Sequence, residues 1–254
     1  TFLDLIAPDY SQGTVTAYLN NGSGGYPNAT VYDTYAGSAS NPHSQTVFDA
    51  DGDGKLDIFY VLYGSGSIGM LKGTGSGLFL ANKTTLVVSG SSNFAHPADL
   101  NGDGKMDFVA NHFGSTASSG SALQIFLGNG NGTFQAKTTA TTGVGPGDFT
   151  FGDFNQDGKT DIAVANYYIY PGGTYTNSIS VLLGNGDGTF QTKIDTALGT
   201  SVWTLKAADF NKDGKLDLVT SNYPAGTIQV LFGDGTGNFA APTAYATSAP
   251  VSPS

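Results

Sequence analysis

The chain has 254 residues, 20 acidic against 10 basic side chains, a formal charge of −10 and no cysteine. Disulfides and thiolate metal sites are therefore excluded, and there is no basic patch to displace phosphate counterions, which argues against nucleic acid as a partner. No apolar run is long enough to cross a bilayer as a helix, so no membrane insertion is expected.

Every acid is Asp and every base is Lys. The first element in chain order is a short apolar segment, Leu5-Ile6-Ala7, following Asp4. A glycine turn, Asn20-Asn-Gly-Ser-Gly-Gly-Tyr26, comes next. The chain then reaches a nine-residue loop, Asp49-Ala-Asp51-Gly-Asp53-Gly-Lys55-Leu-Asp57, followed by Ile58-Phe59-Tyr60. The same order returns three times. The loop recurs as Asp99-Leu-Asn101-Gly-Asp103-Gly-Lys105-Met-Asp107, as Asp153-Phe-Asn155-Gln-Asp157-Gly-Lys159-Thr-Asp161 and as Asp209-Phe-Asn211-Lys-Asp213-Gly-Lys215-Leu-Asp217.

The final Asp of each loop falls at 57, 107, 161 and 217, a step of about 50 residues, and Asp4 occupies the same position one step earlier. Five units result, at about 1–53, 54–103, 104–157, 158–213 and 214–254, in one domain spanning 1–254. Each reads as strands. An apolar segment follows the last Asp, and a period-2 strand such as Ser178-Ile-Ser-Val-Leu-Leu183 comes later. A glycine hairpin such as Gly184-Asn-Gly-Asp-Gly-Thr-Phe190 then supplies the positive φ of a tight turn. A polar outer strand and an inner strand complete the unit, and no segment carries a helical period. Four strands repeated at this spacing predict an all-β propeller of four-stranded antiparallel blades, with the aspartate loop joining the two inner strands. The tail Ser248–Ser254 falls where an inner strand should begin, and a ring closed by pairing it with the N-terminal strands is expected, with a slice of a longer repeat array as the alternative.

The loop is a ligand set for a hard cation. Ca²⁺ takes 6–8 oxygens at about 2.3–2.6 Å, and alternate residues of a tight turn can supply them. Positions 1, 3, 5 and 9 carry side-chain oxygens, the Gly at position 6 permits the turn, and the carbonyl at position 7 adds another oxygen. The expected ligands are Asp49, Asp51, Asp53, Lys55 and Asp57, then Asp99, Asn101, Asp103, Lys105 and Asp107. The later loops offer Asp153, Asn155, Asp157, Lys159 and Asp161, then Asp209, Asn211, Asp213, Lys215 and Asp217. Thirteen of the 20 Asp lie in these loops. About four Ca²⁺ ions would add +8 and bring the net charge to about −2. An EF-hand is excluded, since position 12 is Tyr60, Ala110, Val164 or Thr220 rather than Glu, and strands flank the loop.

This pattern, the aspartate loop, an apolar strand and then Leu182-Leu-Gly-Asn-Gly-Asp-Gly-Thr-Phe190, resembles the FG-GAP or VCBS-type repeat. That repeat builds the propeller of integrin α-subunits, of many bacterial surface proteins and of some fungal lectins. The resemblance covers essentially the whole chain. It implies a propeller, calcium at the blade hairpins and an extracellular setting, secreted or on the cell surface.

Other residues point less sharply. An aromatic stands six positions after each final Asp, at Tyr10, Tyr63, Phe113, Tyr167 and Tyr223, and reads first as blade packing. So do the hairpin aromatics Tyr26, Phe79, Phe134, Phe190 and Phe239. The loop Tyr167–Tyr175 is longer than its counterparts, and its Tyr167, Tyr168, Tyr170 and Tyr175 are the candidate ligand contacts. His43, His96 and His112 share no spacing that would make a metal set. No Glu exists to form a glycosidase pair, and no nucleophile triad is marked. The expected function is a non-catalytic binding or adhesion module for a glycan or an extracellular protein. Two alternatives stand beside it: a self-associating subunit of a surface layer or filament, and an accessory domain of a secreted polysaccharide-degrading enzyme.

Overall fold

The computed structural model describes residues 3–34, 41–63, 66–88, 90–112, 121–167, 177–199, 201–222 and 225–247. Its elements are all strands and form five antiparallel sheets, the blades. Blade 1 is β1 (Leu5–Asp9), β2 (Thr14–Leu19) and β3 (Asn28–Asp33). Blade 2 is β4 (Asn41–Phe48), β5 (Asp57–Tyr63), β6 (Ser67–Gly73) and β7 (Phe79–Val87). Blade 3 is β8 (Ala95–Ala98), β9 (Asp107–His112), β10 (Ala122–Phe126) and β11 (Thr138–Thr141). Blade 4 is β12 (Pro146–Gly152), β13 (Asp161–Asn166), β14 (Ser178–Leu182) and β15 (Ile194–Ala197). Blade 5 is β16 (Leu205–Ala208), β17 (Asp217–Asn222), β18 (Thr227–Leu231) and β19 (Thr243–Ala246).

Within each four-stranded blade the strands pair in chain order. Blade 1 departs from the expected four. It begins at the strand that follows Asp4, the equivalent of β5, and its sheet order is β1-β2-β3. The tail Ser248–Ser254, expected to close the ring, lies outside the described residues.

The second strand of a blade explains the apolar runs after each loop. Successive side chains of a strand point to opposite faces, and in blades 2, 3 and 4 both faces are covered by a neighbouring blade. Ile58, Tyr60 and Leu62 pack toward blade 1 around Val15. Phe59 and Val61, between them in sequence, pack toward blade 3 against Phe108 and Ala110. Val109 meets Ile162 and Val164 between blades 3 and 4, and Ala163 and Ala165 meet Leu205 and Leu218 between blades 4 and 5. The core is thus four inter-blade layers, and each fully buried large side chain contributes about 1.5–3 kcal/mol.

The hairpin aromatics hold these layers at one edge. Phe134 of blade 3 packs edge-on against Phe59 of blade 2 at 5.9 Å, and Phe239 of blade 5 meets Phe154 of blade 4 at 5.8 Å. Phe79 of blade 2 meets Tyr32 of blade 1 at 5.6 Å. The packing role expected for these positions holds there. Tyr26, in the hairpin of blade 1, is 37 % exposed.

Candidate metal centre

Each aspartate loop connects the first and second strands of its blade, as expected, and all four fold alike. The carboxylate at position 1 receives the turn. Asp153 Oδ1 accepts from the N–H of Asp157 at 3.0 Å and Oδ2 from Gly158 at 2.9 Å. Asp49, Asp99 and Asp209 accept from the matching glycine N–H at 2.8, 2.9 and 2.9 Å. The position 3 oxygen accepts from position 5, as in Asn101 with Asp103 at 3.1 Å and Asn211 with Asp213 at 2.9 Å. These bonds pull the chain into a curl whose side-chain oxygens point inward. Position 4 shows how tight the curl is. It is left-handed in all four loops, as Gly52 (φ 73°), Gly102 (φ 71°), Gln156 (φ 61°) and Lys212 (φ 63°). A non-glycine residue is uncommon there.

The final Asp has a second duty that its spacing does not reveal. Asp57, Asp107, Asp161 and Asp217 are all buried. Each spans two turns: one oxygen accepts from position 2 of its own loop and the other from the glycine that opens the hairpin. For Asp161 these are Phe154 at 2.8 Å and Gly184 at 2.7 Å. For Asp107 they are Leu100 at 2.9 Å and Gly128 at 2.8 Å. Asp4 keeps one such bond, from the N–H of Asn20 at 2.8 Å, which explains its place in the incomplete first unit. The glycine has no room to change: a Cβ on Gly128 would lie 2.2 Å from the carbonyl oxygen of Met106, and one on Gly184 2.3 Å from that of Thr160.

In blade 2, Asp49, Asp51 and Asp57 each bring an oxygen within 4.8 Å of the others. Burial pushes the Asp57 carboxyl above its ordinary range, and the charges of Asp51 and Asp49 add to this against its two N–H donors. Asp107 and Asp161 are raised in the same way, by burial and then by the other carboxylates of their loops. Position 5 behaves oppositely. The Lys55 side chain holds Asp53 below its ordinary value, and the Lys105 N–H does the same for Asp103. A buried acid crowded by other acids fits a cation. Positions 1, 3 and 9 converge on one point, and each Asp57 oxygen keeps a lone pair beyond its N–H bond. Position 5 lies at the rim, turned toward a lysine.

The loops also join blades. The hairpin N–H of Gly132 donates to the Ala50 carbonyl oxygen at 3.2 Å, and Gly237 donates to Phe154 at 3.0 Å. Thr160 Oγ1 donates to Asp99 O at 3.0 Å, and Gln156 Nε2 to Gly214 O at 3.0 Å. A loop held open by repulsion would lose these contacts too.

Models of the FG-GAP-like repeat match residues 2–60, 49–110, 112–164 and 167–220. The chain belongs to the FG-GAP-like repeat family. Each FG-GAP-like match ends three residues past a final Asp, inside the second strand of a blade. Among solved structures, the Dos1 propeller matches with a TM-score of 0.62 at 11 % identity, over 97 % of this chain and 56 % of that one. The Tc holotoxin pore of Photorhabdus luminescens matches with a TM-score of 0.46 at 17 % identity, over 98 % of this chain and 12 % of that one. The chain thus spans only part of both. None of the curated proteins compared with it matches.

The opposite ends of the blades carry the other candidates. Tyr167 packs edge-on against Trp203 at 5.4 Å. Tyr168, Tyr170 and Tyr175 lie outside the described residues, as do Phe113 and Tyr223. Tyr10 and Tyr63 are 50 % and 39 % exposed and flank the exposed His43, with ring centroids 6.4 and 5.7 Å away. A groove of 490 Å³ lies instead toward the aspartate end, between β11 and the blade 4 hairpin, lined by Thr138, Thr139, Thr141, Gln191, Thr192 and Lys193.

Asp148 is a site that sequence reasoning passed over. It is buried on β12 and accepts from His96 Nε2 of blade 3 at 3.2 Å. It also accepts from Leu205 N and Lys206 Nζ of blade 5, at 3.1 and 3.4 Å. Burial alone would raise its carboxyl, but these partners from two neighbouring blades bring it below the ordinary value. It has no counterpart in the other units, so the repeat offered no signal beyond an acid in an inner strand.

Proposed function

We propose that this chain is a calcium-stabilised, extracellular, non-catalytic binding module. Its loop end holds metal, and its opposite end meets a glycan or an extracellular protein. The observation that carries the calcium reading is the convergence of Asp49, Asp51 and Asp57 around one point, with Asp57 buried. Three carboxylates in that space repel one another, and a divalent ion with 6–8 oxygen ligands removes the repulsion. Asp49, Asp51, Asp53, Asp57 and the Lys55 carbonyl would hold it, with the matching residues in the other three loops. Millimolar free calcium outside the cell is enough to fill loops of modest affinity, which supports the setting. The exposed pair Tyr10 and Tyr63 around His43 offers the flat apolar faces and polar tips that sugar rings and protein surfaces both accept. A calcium titration followed by native mass spectrometry tests the metal: about four ions are expected, and none bound at millimolar calcium sinks the reading. A glycan array and pull-down with Tyr10→Ala and Tyr63→Ala tests the ligand surface.

A second reading, self-association, is favoured by the two outer blades. Phe210, Ile228 and Tyr245 of blade 5 are 47 %, 37 % and 48 % exposed, and Leu5 and Val31 of blade 1 are 51 % and 60 %. The equivalents of Phe210 in blades 2, 3 and 4 (Ala50, Leu100 and Phe154) are buried. A second copy stacked blade 5 to blade 1 would cover these side chains by the contact already used between blades. Sedimentation across a concentration series with Phe210→Ser distinguishes it from a monomeric binder.

A further inference from the structure

The blade 2 loop differs from the others in two places at once. At position 3 it has Asp51 where blades 3, 4 and 5 have Asn101, Asn155 and Asn211. At the residue before the hairpin glycine it has Lys72 where they have Leu127, Leu183 and Phe232. The two changes meet in space. The Lys72 ammonium donates to Asp51 Oδ2 and lies 3.3 Å from Asp53 Oδ2.

The matching side chains do something else. Leu127 lies against Gly188 of the next blade and Leu183 against Gly237, while blade 1 sets Leu19 against Gly77. Gly132, the glycine Lys72 would meet by this rule, faces Asp51 and Met70 instead. Lys72 has left the inter-blade contact and turned to its own loop. The charge count explains why. Four Asp with one Lys at this position give −3, and three Asp with an apolar residue give −3 as well.

We propose that Lys72 is a built-in counter-ion of the blade 2 loop, one that the metal must displace, and that it sets the calcium affinity of this loop apart from the other three. The inference rests on the calcium reading above. Without metal, Lys72 neutralises the extra carboxylate of Asp51, so the loop closes with no ion bound. When Ca²⁺ enters, Asp51 exchanges the ammonium for the ion, and the displaced cation stays close enough to oppose it. A unit charge several ångströms from a divalent ion at a partly exposed site is worth about a tenfold change in affinity.

The test is a calcium titration of ¹⁵N-glycine-labelled protein. The amides of Gly52 and Gly54 report blade 2, and those of Gly104, Gly158 and Gly214 report the other loops. Lys72→Gln should tighten the blade 2 site about tenfold and leave the other three where they are. Asp51→Asn with Lys72 kept should weaken it by a similar factor. The double change Asp51→Asn with Lys72→Leu recreates the pair found in blades 3 and 4 and should return blade 2 to their affinity. If all four loops titrate but Lys72→Gln leaves Gly52 and Gly54 unmoved relative to wild type, the role of Lys72 is wrong and the calcium reading stands. If no loop responds to calcium in any variant, the calcium reading itself is wrong, and the inference goes with it.

Discussion

The two ends of the blades follow different rules. At the aspartate end the connection between first and second strands spans residues 49–56, 99–106, 153–160 and 209–216, eight in each of blades 2 to 5. At the opposite end, the connection between second and third strands spans 10–13, 64–66, 113–121, 167–177 and 223–226, from three residues to eleven. A loop that must place several oxygens around one point cannot gain or lose a residue. A loop that only returns the chain can vary, and variable loops on a rigid scaffold are where recognition residues collect. On the proposed function, the invariant end holds the molecule together and the variable end is what it offers to a partner.

The largest test of that separation is chelation. If the invariant end depends on metal, EGTA removes four bound ions, each contributing about 2–3 kcal/mol at calcium well above its dissociation constant. The melting temperature should fall by about 20 °C or more. Calorimetry with and without EGTA measures it, and an unchanged midpoint refutes the dependence.

The next test divides the loop itself. Asp161 ties Phe154 to Gly184, whereas Asp157 lies at the rim near Lys159. Asp161→Ala leaves two N–H donors without their acceptor inside a buried turn and removes a proposed ligand as well, so it should cost about 3 kcal/mol in EGTA and about 2 kcal/mol more in calcium. Asp157→Ala should cost about 2 kcal/mol in calcium and close to nothing in EGTA. Denaturant titrations under both conditions give the four values. Equal behaviour of the two variants contradicts the division of labour.

That division also marks how far the sequence could be read. Period, strand order and blade architecture followed from the four loops, because oxygen spacing and glycine turns are local features. The two-faced burial of Ile58–Leu62 was legible as a continuous apolar run. The bracket made by the final Asp was not, since its partner glycine stands 16 residues away in Gly73 and 23 away in Gly184. The pairing of Lys72 with Asp51 hides for the same reason: 21 residues separate them, and only the fold brings them together. The three strands of blade 1 were foreshadowed by Asp4, which has the final position of a loop without the front of one.

Asp148 tests the scaffold away from both ends. Its folded carboxyl is lowered from the ordinary 3.8, so it stabilises the fold fully above that value. The contribution is lost as pH falls below 3.8 through the lower folded value. Asp148→Asn leaves Lys206 and His96 without their shared anion and should cost about 2 kcal/mol at neutral pH. Urea titrations at pH 7 and pH 3 measure both: the gap between wild type and variant should narrow at the lower pH, and a gap that widens contradicts the sign.

The smallest effect on stability should come from the opposite end. Tyr63 is 39 % exposed and its ring meets His43 at 5.7 Å, a contact that water can largely replace. Tyr63→Ser should therefore change stability by about 0.5 kcal/mol or less, and calcium stoichiometry should stay the same, since the site lies at the other end of β5 from Asp57. What it should change is binding. If Tyr10, His43 and Tyr63 form a recognition surface, removing one of its two aromatic faces should weaken a glycan or protein ligand about tenfold. A ligand found by array or pull-down makes the comparison direct. Tyr63→Ser that unfolds the protein while binding survives in the remainder would place Tyr63 with the scaffold, and the recognition surface would have to be sought elsewhere at that end.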